Sequence, residues 1–143
     1  TNSLVKKTLD QGILQPNFIT NWVFTNALVK NLQNPGDYLF VDGYPRNLEQ
    51  VDVFESAMHF YGRDAIELVY IDVSKEEAVR RMKLRARSDD TEDAIATRFE
   101  VYEKDVLPAL KKMEKHNYKV HHINGEQSVD GVQSELLHAL GLK

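Results

Sequence analysis

Arginine is concentrated in one stretch of this chain: Arg80, Arg81, Arg85, Arg87 and, a little further on, Arg98. A guanidinium is a planar fork of donors that meets phosphate oxygens two at a time, so arginine in excess over lysine points to phosphate recognition. Arg81 and Arg85 are four residues apart and share one face of a helix. The carboxylates Asp89 and Asp90 follow Arg87 and are spaced to orient it. The competing reading is a solvated charged face, laced with Glu76, Glu77, Glu92 and Asp93.

A second cluster is Val41-Asp42-Gly43-Tyr44-Pro45-Arg46. Functional groups of parallel sheets gather beyond the carboxyl ends of strands, and Asp42 closes the short apolar run Tyr38–Asp42. Its carboxylate could hold a magnesium ion, directly or through water. Gly43 allows a backbone to approach a ligand closely, and Arg46 offers another phosphate fork. Taken alone, the segment reads better as a plain turn, because Asp-Gly and Pro are ordinary turn residues.

Other candidates carry less. His121 and His122 fall on opposite sides of a strand, and His59, His116 and His138 are scattered, so no histidine metal site is expected. Phe18 and Trp22 read as helix-core residues by spacing.

The elements that must position these groups alternate between helix and strand. Leu4, Val5, Leu9 and Ile13 recur at helical spacing, with Gly12 as the stop. A second apolar stripe runs from Phe18 to Leu32 and ends before the turn Asn34-Pro35-Gly36. Tyr38–Asp42 reads as a buried strand, Leu48–Tyr61 as a helix, and Leu68–Val73 as the clearest strand. Ser74 with Glu77 forms a capping box for a helix ending near Arg87. Asp90 is expected to cap the next helix, which Pro108 kinks or ends. Tyr118–Ile123 reads as a third strand and Val129–Leu140 as a closing helix. The pattern predicts an α/β fold with a mainly parallel sheet in one domain.

Bulk properties agree. With 143 residues and 42% hydrophobic content, the chain can bury a core of its own. A net charge of -4 argues against a general nucleic-acid binder, which needs a basic excess. No apolar run approaches the length of a membrane span. The absence of cysteine excludes disulfides and thiolate metal sites and fits a cytoplasmic setting.

Taken in order, these segments resemble the adenylate kinase family. Asp42-Gly43-Tyr44-Pro45-Arg46 with Gln50 resembles its D-G-[FY]-P-R-x-x-x-Q segment. Arg81-x-x-x-Arg85, Arg87-x-Asp89-Asp90 and Arg98 resemble its R-x-x-x-R, R-x-D-D and later arginine. Gly12-Ile13-Leu14-Gln15-Pro16 resembles its G-x-L-V-P stretch, with Gln15 where Val is usual. Tyr102, Pro108 and Ile123-Asn124-Gly125 also fall in family order.

The resemblance implies a three-layer P-loop-kinase-like fold and phosphoryl transfer between ATP and AMP with Mg2+, giving two ADP. It implies a cytoplasmic, monomeric nucleoside monophosphate kinase in nucleotide biosynthesis. Residues 1–36 would form the monophosphate-binding helical region and 37–143 the core. Gly12, Leu14, Gly43, Arg46, Gln50, Arg87 and Arg98 would take AMP, with Gln50 on the adenine edge. That residue implies a preference for AMP over UMP or CMP, with pyrimidine-type specificity as an alternative. Arg81, Arg85, Asn124 and Gly125 would take ATP. Arg81, Arg85, Arg87, Arg98 and Asp42 would surround the transferring group, and Asp42 would position the magnesium.

Two departures from the family pattern stand out. Only Ala86 separates Arg85 from Arg87, so the lid is at most a short loop near 85–90. No glycine is followed by lysine, so the family's G-x-x-x-x-G-K-[ST] loop and first strand are not found here. The expected consequence is a segment that is inactive alone, or a non-catalytic nucleotide-binding or scaffold module. An added segment, a partner chain or direct pairing is expected between Tyr38–Asp42 and Leu68–Val73.

Overall fold

The computed structural model describes residues 2–34, 36–87, 89–116 and 118–142. The elements run α1 (Asn2–Asp10), α2 (Asn17–Asn31), α3 (Leu48–Phe60), β1 (Glu67–Asp72), α4 (Lys75–Arg85) and α5 (Glu92–Val101). A π-helical turn, Tyr102–Val106, then leads into α6 (Leu107–Lys115), β2 (Lys119–Asn124) and α7 (Val129–Ala139). The fold is α/β, as the alternation predicts. β1 and β2 pair in parallel, in register from Glu67↔Lys119 to Asp72↔Asn124. Parallel pairing requires a crossover, which α4 to α6 supply.

Three helices build the main core. Phe24 and Leu28 of α2 pack with Val51, Phe54 and Met58 of α3 and Ala109 and Met113 of α6. Tyr44 stacks on Phe24, with ring centroids 4.3 Å apart, and so brings the Asp42–Arg46 segment down onto α2. Phe18 and Trp22, expected inside, are instead exposed, Trp22 by 64%. α2 carries apolar residues around its whole circumference, and only the Phe24–Leu28 face is covered.

The expected strand at Tyr38–Asp42 is not formed. A strand needs a neighbour for its backbone donors and acceptors, and none of the described residues supplies one. Instead, a cleft lies between Leu39–Asp42 and Ala65–Tyr70, so the segment does not pair with β1. Strand-like alternation survives in the side chains: Leu39 turns toward the core while Tyr38 and Phe40 are exposed.

Helix ends also differ in instructive ways. Asp90 does not cap α5; Thr91 does, its hydroxyl accepting from the Ala94 N–H. Ser74 caps α4 as expected, but the Glu77 carboxylate turns away to Arg80 and Arg81. The Ser74 N–H is served from across the fold by Glu126 Oε1 at 3.1 Å. α4 ends at Arg85 rather than near Arg87, because Ala86 adopts a left-handed conformation with φ 49°. Pro108 follows the π-helical turn within a helical run that is continuous from α5 into α6, so it does not end the helix. The turn at Asn34–Gly36 and the loop near 85–90 each include one residue, Pro35 and Ser88, outside the described ones.

At the carboxyl end of the sheet the Gly125 N–H donates to the Asp72 carbonyl at 2.8 Å, tying the β2–α7 turn to the end of β1. A Cβ on Gly125 would lie 2.4 Å from Val73 Cγ2 and 2.8 Å from the Asp72 carbonyl oxygen. Backbone cannot yield there. Gly125→Ala is therefore expected to destabilise the fold by about 1–3 kcal/mol through overpacking, read as a lower urea midpoint; an unchanged midpoint would mean the turn is not held this tightly.

Candidate functional site

Beside the sheet lies a cleft of about 1060 Å³. Its walls carry Gly12 and Leu14 from the α1–α2 loop, Asp42, Gly43 and Arg46 from the segment before α3, and Arg85, Arg87 and Arg98 from α4, α5 and the loop joining them. Eight of the residues singled out from sequence thus share one space. Arg81, Gln50, Asn124 and Gly125 do not line it.

The arginines are held by carboxylates. Asp90, its side chain 1% exposed, accepts from Arg85 Nε at 3.0 Å and Arg85 Nη2 at 2.7 Å, and from Arg98 Nη1 at 2.7 Å. The same carboxylate accepts the Arg87 N–H at 3.2 Å. Asp89 takes the other arm of Arg98, from Nη2 at 2.5 Å. Asp90 therefore orients Arg85 and Arg98 through their side chains, and Arg87 only through its backbone. The Arg87 guanidinium makes no side-chain bond among the described residues. Arg85 keeps further N–H donors, because a guanidinium carries five, whereas Arg98 keeps only its Nε–H.

Charge–charge contacts set the titration of this cluster. The Arg85 hydrogen bonds, then those of Arg98, hold the Asp90 carboxyl well below the usual carboxylate range. Hydrogen bonds from Arg80 and then Arg81 bring Glu77 down to about 2. Arg81 points to Glu77 through Nε at 2.7 Å, one turn before Arg85.

Gly12 has φ 70°, and a Cβ there would lie 2.6 Å from the Ala94 carbonyl oxygen and 3.2 Å from Arg98 Cγ. Only glycine lets the α1–α2 loop come this close to α5, so Gly12 brings that loop against Arg98. Deeper in the cleft the hydroxyls of Tyr70 and Tyr102 meet in a short hydrogen bond at the start of the π-helical turn. Burial, then the Tyr70 hydroxyl, pushes the Tyr102 phenol well above its ordinary range.

Arg46 is exposed and donates from Nε to the Gly43 carbonyl at 2.7 Å. Asp42, also exposed, makes no side-chain hydrogen bond among the described residues. A lone carboxylate of this kind suits Mg2+, which keeps several waters and takes few protein ligands. No larger group of His, Cys, Asp or Glu able to hold a metal exists among the described residues.

Asn124 and Gly125 close the sheet instead of lining the cleft. The Asn124 side chain accepts from the Glu126 N–H at 3.0 Å, and Gly125 is buried. Asn17, Thr20 and Asn47, absent from the sequence expectations, hold Gln50. Their signal was present as Asn47-x-x-Gln50, a capping pattern at the start of α3.

Arginine forks gathered by acidic residues beside a parallel sheet define a class of α/β protein with a cationic cleft. The sequence pattern of the adenylate kinase family matches residues 1–118. Adenylate kinases of Mycobacterium leprae and Mycobacterium tuberculosis are each 32% identical over 136 residues, covering 95% of this chain and 72% of the relative. The adenylate kinase of Oenococcus oeni is 33% identical over 107 residues, 74% of this chain and 56% of its own length. The chain belongs to the adenylate kinase family, a family of nucleotide kinases. No helix among the described residues is long and apolar enough to cross a membrane.

Because Asp90 and Glu77 are depressed in the fold, their pairing stabilises it above the unfolded carboxylate range and is lost as pH falls through and below about 4. Stability should be level between about pH 6 and 8 and drop under acid. Asp90→Asn should reduce the acid-side slope of the urea midpoint; a slope identical to the unsubstituted chain would remove Asp90 from the linkage. Removing the doubly paired Arg98 should lower Tm more than removing the exposed Arg81, and the reverse order would contradict the cluster.

Proposed function

We propose that this chain forms the monophosphate site and the phosphoryl-transfer arginines of an enzyme that moves a phosphoryl group between ATP and AMP, giving two ADP. The observation that carries this reading is the convergence of Arg46, Arg85, Arg87 and Arg98 on one cleft with Gly12 and Leu14.

In the reaction an oxygen of the AMP phosphate attacks the γ-phosphorus of ATP, and the bond to the β–γ bridging oxygen breaks. Little covalent work falls to the protein, so positioning and charge neutralisation carry the catalysis. Arg46 grips the AMP phosphate from the outer wall. Arg85 and Arg98, already oriented by Asp90, turn their remaining donors to the transferring group. Arg87, with no side-chain partner among the described residues, is the most available of the set. Arg81 acts on the donor side once it leaves Glu77. Asp42 would hold Mg2+ through water, and the ion supplies neutralisation of phosphate charge when bound. No general base is required.

Phosphoryl transfer is assayed as ADP formation from ATP, AMP and magnesium by the protein as the cell makes it. Activity on UMP or CMP equal to that on AMP would replace the acceptor assignment. The monophosphate site is tested on the chain itself by calorimetric titration with AMP. Arg46 is exposed and bonded only to a carbonyl of its own turn, so Arg46→Ala should leave Tm unchanged and weaken AMP by tenfold or more, about the loss of a charge-assisted pair. AMP binding that survives this substitution would sink the role of Arg46.

A further inference from the structure

Two acidic centres divide the arginines of α4 between them. Arg81 and Arg85 lie one turn apart on the same face of the helix. Arg85 reaches forward to Asp90 and lines the cleft. Arg81 reaches back one turn, its Nε donating to Glu77 Oε1 at 2.7 Å, and does not line it. The two forks are separated by the carboxylate each has found, not by their place on the helix.

Glu77 is shared unequally. Arg80 binds it twice, from Nε to Oε2 at 2.6 Å and from Nη2 to Oε1 at 2.7 Å. Arg81 makes one bond to it, and the Arg81 Nη groups make none among the described residues. The Glu77 side chain is only 19% exposed, so leaving it with no cation beside it would be costly. Arg80 prevents that: Arg81 can depart and the carboxylate keeps a bidentate partner. Glu126, held below the usual carboxylate range first by its hydrogen bonds from Ser74, adds a second negative charge in electrostatic contact with Arg81.

We infer that Glu77 is a positioning residue that keeps the Arg81 fork outside the cleft until the polyphosphate of a nucleoside triphosphate displaces it, and that Arg80 keeps this hold weak enough to release; this rests on the reading of Arg81 as a donor-side group. The exchange replaces one carboxylate by phosphate oxygens at the same guanidinium, with both Nη groups already free to take them. Its cost falls on the donor alone. On the acceptor side Arg46 is bonded to the Gly43 carbonyl and Arg87 to Asp90, not to Glu77 or Arg80.

The test is the ATP and AMP dependence of ADP formation by the protein as the cell makes it. Arg81→Ala comes first and should raise the KM for ATP; no change would remove Arg81 from the donor side, and the inference with it. Glu77→Gln keeps the helix cap, which uses only the Glu77 backbone N–H. It should lower the KM for ATP about two- to fivefold, the scale of an exposed ion pair on one helix face, and leave the KM for AMP unchanged. Arg80→Ala should act in the opposite direction, raising the KM for ATP, because Glu77 then has Arg81 alone; it carries the test if Glu77→Gln does not fold. In an Arg81→Ala background the Glu77→Gln effect should vanish. A KM for ATP that rises or stays level in folded Glu77→Gln overturns the inference, as does one that falls or stays level in Arg80→Ala. Equal shifts for ATP and AMP, or a Glu77→Gln effect that persists without Arg81, would reduce Glu77 to one charge in the general field and overturn it as well.

Discussion

The arginine wall of the cleft depends on one carboxylate. Asp90 is almost wholly covered, yet it stays ionised because two guanidinium groups and a backbone N–H point at it. Burying a lone carboxylate would be prohibitive; burying it under two cations with good geometry converts the cost into orientation. Arg85 comes from the end of α4 and Arg98 from the middle of α5, so the contact also sets the angle between those helices. Arg87 is carried along by its backbone.

This arrangement explains how like charges can collect on one wall. Three arginines on one wall would repel strongly in a low-dielectric cleft, but Asp89 and Asp90 offset much of that charge. Neutralisation is incomplete, since Arg46 and Arg87 have no carboxylate partner among the described residues. In the proposed function the remaining positive potential draws a phosphate. Because the forks are already oriented, a ligand meets donors whose side-chain entropy has been spent in folding.

The two sides of the cleft are built differently. On one side α4 and α5 are joined through ion pairs to Asp90, and β1 is held by the parallel ladder to β2. On the other, Leu39–Arg46 is held by side chains alone: Leu39 against the core, Tyr44 on Phe24, and Arg46 through Gln50. Tyr44 adds a hydrogen bond to Asn21 at 2.9 Å, and burial, then the charge of Glu49, pushes its phenol up to about 12. A segment secured by side chains, without a ladder, has fewer cooperative restraints on its backbone. Arg46 therefore relies on the Gln50 network more than Arg98 relies on any single bond.

Sequence alone determined the helices, β1, β2, the parallel α/β class and eight of the residues that meet at the cleft. Those features are local: apolar periodicity, caps, turn residues, and motif spacing along a single element. Tertiary structure decided what depends on neighbours distant in the chain. Tyr38–Asp42 has the composition of a strand, but pairing needs a partner, and none of the described residues provides one. Trp22 and Phe18 have core spacing on a helix whose apolar residues run all the way round, so only packing could choose the buried face. The spacing of Asp90 allowed a helix cap or a side-chain ligand, and the arrival of Arg98 decided for the latter. The residues that hold Gln50, Asn17 and Thr20, lie about thirty positions away, a distance over which no periodicity speaks. Local pattern reports which face a side chain takes along its own element; which groups compete for its hydrogen bonds is settled only when the elements meet.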